Sequence, residues 1–134
     1  MIDEELKSLD NGNSMGAVIR QSGSDPDDFE TFHYPSRGRN GFALIGADLN
    51  EYVSRCIKAA LANGCVPVGE RPGEDWLPTY AYGITDDEIA RNMVAAWRAL
   101  GRDPEFGELM FSWEDWIDPD AYDEWQARRA AAGH

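Results

Sequence analysis

Two segments of this chain carry apolar residues at steps of three and four, and they limit most of what it can become. After Asp48, the residues Leu49, Tyr52, Val53, Cys56, Ile57, Ala60 and Leu61 fall on one side of a helix, and Asn63-Gly64 ends it. A stripe of that kind is stable only when it is buried against something else. Asp48 is the expected N-cap, because its carboxylate can accept from amides of the first turn. The second segment opens on Thr85-Asp86-Asp87-Glu88. This is a capping box, in which Thr85 accepts from the amide of residue 88 and Glu88 reaches back. Ile89, Met93, Trp97 and Leu100 continue at helical spacing, and Gly101 closes the helix. The two stripes predict a core of Leu49, Val53, Ile57, Leu61, Ile89, Met93 and Trp97.

Shorter patterns surround these helices. Residues 2–9 allow one or two amphipathic turns before Asn11-Gly12. The segments 16–21 (GAVIRQ) and 29–34 (FETFHY) alternate like strands, and the acidic turn sequence between them suggests a hairpin. Residues 35–41 (PSRGRNG) form a basic loop, and 42–45 (FALI) read as a short strand. CVPV (65–68) reads as another, placed at an edge by Pro67, which cannot donate to a ladder. Residues 69–78 read as loop and 79–83 as a strand. ELMFSW (108–113) is strand-like, and Asp118-Pro119 opens a last helix, with the proline where its missing amide costs nothing. The order implies an α+β domain spanning 1–134, with a small, mostly antiparallel sheet packed against two or three helices. The alternative is an α/β arrangement in which 42–45, the first helix and 65–68 make one βαβ crossover.

Charge narrows the partners. The chain has 25 acidic and 12 basic residues, a net charge of −13. Residues 72–125 alone hold fourteen acids and three bases. Such a field repels nucleic acid and anionic membranes and attracts basic proteins. The N-terminal MIDEELKSLDNG lacks the apolar core of a signal peptide, and no apolar run approaches a membrane span of about 18 residues. These features suggest a cytoplasmic protein in which Cys56 and Cys65 are reduced thiols.

Familiar site chemistries fit poorly. His33 and His134 are the only histidines, and two cysteines nine apart do not make a zinc site. A calcium loop starting at Asp118 would put Asp123 where glycine is needed and Arg129 where glutamate is needed. SRGRNG is not followed by the Gly-Lys-Ser/Thr of a phosphate loop. No metal or cofactor is expected. The one place where a small active site could gather is His33 with Tyr34, Ser36, Arg37 and Arg39, and a histidine on a strand edge beside a solvated loop is the better explanation of those residues. Arg37 and Arg39 are expected to pair with the chain's own carboxylates.

The stretch SWEDWIDPDAYDEW, residues 112–125, is the strongest functional lead. It holds Trp113, Trp116, Tyr122 and Trp125 among Glu114, Asp115, Asp118, Asp120, Asp123 and Glu124. The simpler explanation is that the rings anchor the last helix while the acids cap and solvate it. The other uses both properties together. Trp and Tyr are enriched at interface centres, and charged rims steer association. These ten residues are then a binding surface for a basic protein, such as a nuclease, with carboxylates standing where phosphates would lie. Small acidic inhibitors of nucleic-acid-acting proteins work this way as a class, among them toxin immunity, anti-CRISPR and anti-restriction proteins. The expectation is a non-enzymatic binding protein of this type. An enzyme or ligand-binding domain around His33, Arg37 and Arg39 is the alternative, and a homodimer through the aromatic face is a third arrangement.

Overall fold

The structure is a computed structural model, described here for residues 2–7, 12–22, 42, 44–102 and 108–133. Its first helix, α1 (Met15–Arg20), stands where the alternating pattern suggested a strand. Ser14 explains the difference. Its backbone is extended, and its hydroxyl accepts from the Ala17 amide at 3.2 Å, capping the helix. Met15 and Ile19, four residues apart, are buried. In a six-residue helix that single i, i+4 pair is hard to tell from alternation. The proposed partner strand, 29–34, lies outside the described residues.

Helix α2 (Gly46–Ala62) buries Tyr52, Val53, Cys56, Ile57, Ala60 and Leu61. It starts three residues earlier than a cap at Asp48 would place it. Ile45 is the cap residue and provides no side-chain hydrogen bond, while Asp48 sits in the first turn, where a carboxylate favours the helix dipole. Of the expected strand at 42–45, residues 42, 44 and 45 are not in a strand. Asn63 caps the far end, and its side-chain amide donates to the carbonyls of Arg20 and Ser22 at 3.1 and 2.7 Å. One residue thereby closes α2 and satisfies carbonyls at the end of α1.

The sheet contains β1 (Val66–Glu70), β2 (Leu77–Pro78) and β3 (Met110–Ser112), in the order β2-β1-β3, all antiparallel. With residues 42, 44 and 45 not in a strand and β1 paired antiparallel on both sides, the βαβ alternative does not hold. β1 is central, not at an edge as Pro67 suggested. Pro67 sits opposite Phe111 of β3, and its carbonyl accepts from Thr79 on the β2 side at 2.9 Å. Its missing amide therefore faces the end of the two-residue β2 and removes no bond from the β3 ladder. β2 itself lies in the stretch expected to be loop, and 79–83 leads through a turn that closes with Gly83 donating to Tyr80.

Helix α3 (Asp86–Leu100) has both halves of the predicted capping box: Glu88 N donates to Thr85 Oγ1 at 3.2 Å, and Thr85 N donates to Glu88 Oε1 at 3.1 Å. Gly101 ends it in the left-handed conformation, φ 66°. Gly83, at φ 104°, cannot be replaced cheaply, because a Cβ there would meet Glu88 Cβ at 2.7 Å. Helix α4 (Pro119–Ala131) is capped by Asp118, whose carboxylate accepts from Ala121 N at 3.0 Å. One apolar cluster joins α1, α2, α3, the sheet and Trp125 of α4. Of the seven expected core residues, six are buried in it, and Leu49 packs against it partly exposed. The fold is α+β.

Candidate functional site

Residues 112–125 are neither one helix nor one strand. Ser112 ends β3, Glu114–Trp116 form a single 3-10 turn, Ile117 is buried, and Asp118 starts α4. The turn is held from outside its own sequence. Trp76 N donates to Trp116 O at 2.8 Å, and Asp118 N donates to Trp76 O at 3.0 Å. This parallel bridge between Trp76 and Ile117 joins the loop before β2 to the turn before α4. Arg71 steadies that loop, with Nε on the Glu74 carbonyl at 2.9 Å and its guanidinium 5.6 Å from the centre of the Trp76 ring.

The aromatic residues divide. Trp116 is 58% exposed and Trp113 37% exposed, the two tryptophans most open to solvent on the described surface. Trp125 is 2% exposed, with its ring 5.6 Å from that of Tyr80 and the Arg129 guanidinium 5.5 Å away. Of the candidate contact residues, Trp125 packs in the core, on the side of α4 that it shares with the half-buried Tyr122. Tyr122 is half-buried, and its hydroxyl accepts from Gln126 at 2.6 Å.

The acids divide as well. Asp118 serves as a helix cap, and Glu124 pairs with Arg128 at 2.6 Å. Glu114, Asp115, Asp120 and Asp123 are exposed, with no ion pair or side-chain hydrogen bond among the described residues. Glu114, Asp115 and Asp123 open onto a cleft of about 290 Å³, together with Ile117, Pro119, Tyr122 and Asp75. Among the described residues no group of three His, Cys, Asp or Glu side chains could hold a metal ion. Burial pushes the Cys56 and Cys65 thiols up to about 11, so neither is a thiolate nucleophile near neutral pH. His33, Arg37 and Arg39 lie outside the described residues.

Sequence reading missed Asp75 and Trp76. A signal was present: the tripeptide Glu-Asp-Trp occurs at 74–76 and again at 114–116, and the fold sets the second against the first. Together they give the surface two acidic segments instead of one. No helix among the described residues is long and apolar enough to cross a membrane. No protein-family model, curated protein or solved structure matches the chain.

Proposed function

We propose that this chain is a non-enzymatic acidic binding protein that docks on a basic protein through Trp113, Trp116 and the carboxylates around them. We further propose that the partner acts on nucleic acid, as a nuclease does, and that docking blocks its nucleic-acid groove. One observation carries the reading: Trp116 is 58% exposed on a turn fixed by backbone hydrogen bonds to Trp76. A turn whose backbone is already fixed loses less freedom on binding than a mobile one. Trp is also enriched among the residues that dominate interface energies. The exposed acids supply the second half, since a groove built for phosphates is lined by Lys and Arg. Two copies of this surface facing each other would set like charges together, which disfavours the homodimer arrangement.

The test is capture from an extract of the native cell with immobilised wild-type protein and Trp116→Ala side by side. The captured partner is then titrated with labelled nucleic acid. The expected partner is basic, is retained by the wild type, is lost with Trp116→Ala, and releases nucleic acid as this protein is added. A partner that holds both at once sinks the inhibition. A partner retained equally by Trp116→Ala sinks the surface.

A further inference from the structure

Asn63 is followed by Gly64, and the exposed pair closes α2 against the end of α1. We propose that Asn63 is a conditional deamidation site: docking of α1 keeps its amide intact, and loss of that amide releases the end of α1. The proposal is independent of the docking surface above and rests on what holds each reacting atom.

Asparagine before glycine is prone to this reaction because a residue without a side chain leaves the attacking amide unhindered. Of the Asn-Gly pairs at 11–12, 40–41 and 63–64, the last lies wholly among the described residues. The chemistry needs no further reactant than water. The Gly64 nitrogen gives up its proton and bonds to Asn63 Cγ. The Cγ–Nδ2 bond breaks, and ammonia leaves with that proton. Water then opens the five-membered imide at either carbonyl, leaving aspartate or isoaspartate at position 63.

The fold blocks each requirement. The nucleophile is engaged: Gly64 N donates to Leu61 O at 3.1 Å, and Cys65 N donates to Ala60 O at 3.0 Å. With Gly64 at φ 95°, these two bonds make the Schellman closure of a helix end. The leaving group is engaged as well: Asn63 Nδ2 donates to the carbonyls of Arg20 and Ser22 at 3.1 and 2.7 Å. The backbone is also turned away. Ring closure requires the Gly64 nitrogen on the side of Asn63 Cβ, and ψ of 5° sets it beside the nitrogen of Asn63 instead. The second block comes from another element. Arg20 ends α1 and Ser22 follows it, so separating that end from α2 frees an amide that water already reaches.

The product fits this site badly. An amide offers two N–H groups to the two carbonyls, whereas a carboxylate offers none and sets a negative charge against them. Isoaspartate also lengthens the backbone by one methylene at the residue on which the helix closure depends. The converted chain therefore cannot redock α1 as before. Beneath this end lies Cys56, a buried thiol whose neighbour is the Ser22 hydroxyl, so release of α1 uncovers it.

The experiment follows amide loss at Asn63 by peptide mapping of the intact chain, held in mildly alkaline buffer with and without denaturing urea. Conversion should be at least about tenfold slower in the folded protein, a factor within what two ordinary hydrogen bonds supply. Ser14→Ala removes the hydroxyl that caps α1 and should raise the folded rate toward the unfolded one. Release of α1 is read as labelling of Cys56 by an aromatic disulfide. Asn63→Asp should label faster than wild type, and faster than Asn63→Ala, which loses the donors without gaining the charge. Wild type aged in buffer and separated by ion exchange gives the same comparison without a variant that has to fold. No conversion in urea, or equal rates in the folded and unfolded chain, overturns the conditional site. A Ser14→Ala rate equal to wild type overturns the part played by α1. Converted chains that label Cys56 no faster than unconverted ones overturn its release.

Discussion

Single residues divide between anchoring the fold and facing outward, and exposure decides which. Trp116→Ala should leave the urea midpoint within the range of ordinary surface changes, about 0.5 kcal/mol, because the ring stands in water and the turn is held by backbone bonds. The same change should speed dissociation from the partner, by an amount that reaches about 2 kcal/mol if the ring is a hot spot. A large stability loss would show that Trp116 belongs to the core. Tyr52 is the opposite case. It is fully buried against Phe42, and its hydroxyl finds no oxygen or nitrogen partner among the described residues. The Cys56 thiol beside it is a weak partner, and burial pushes the Tyr52 hydroxyl above the usual tyrosine range. Leaving such a group unsatisfied costs about 1–3 kcal/mol, so Tyr52→Phe should match or exceed wild-type stability in urea unfolding. A loss above about 1 kcal/mol would mean that the hydroxyl is bonded in solution.

Among the elements, the start of α3 gives the clearest pH signature. The Thr85 amide and hydroxyl, then the Ile84 amide, hold the Glu88 carboxyl below the usual carboxylate range. A depressed carboxyl contributes stability that is complete above its unfolded pKa and is lost as pH falls through the folded one. The wild type's advantage over Glu88→Gln should therefore be constant above about pH 5 and shrink on acidification, read as melting temperature against pH. An advantage that grows on acidification would contradict the capping geometry. This helix was legible in the sequence because its cap, its stripe and its stop are all local. The core of α2 was legible for the same reason, although Asp48 misplaced its start, since an acid suits a first turn as well as a cap. The sheet was harder to read. β2 is two residues long and takes its identity from β1, and Pro67 could be placed at the centre only once the Thr79 and Phe111 sides were known. In the candidate site, Trp113, Trp116 and their acids stood out by composition. That Trp125 is buried, and that Asp75 joins the cleft, depends on contacts between distant segments that no window of sequence contains.

For the molecule as a whole, the net charge of −13 should act on encounter more than on residence. Reversing Glu114, Asp115, Asp123 and Glu124 to Lys should mainly slow association with a basic partner. Added salt should imitate the reversal, because steering acts over a Debye length of about 8 Å at physiological ionic strength. Stopped-flow association rates that ignore both salt and the four reversals would reduce these acids to a solvated face. The Trp76 bridge carries a different consequence. Because the loop before β2 clamps the 3-10 turn, the surface is a discontinuous epitope, assembled only when the sheet and α4 are in place. A synthetic peptide of residues 112–125 carries nearly all the letters of the surface but lacks Asp75 and the clamp. It should compete poorly with the intact protein for its partner. An antibody raised against that peptide should prefer the denatured chain, and one that blocks docking should lose its target at the same urea concentration that unfolds the protein.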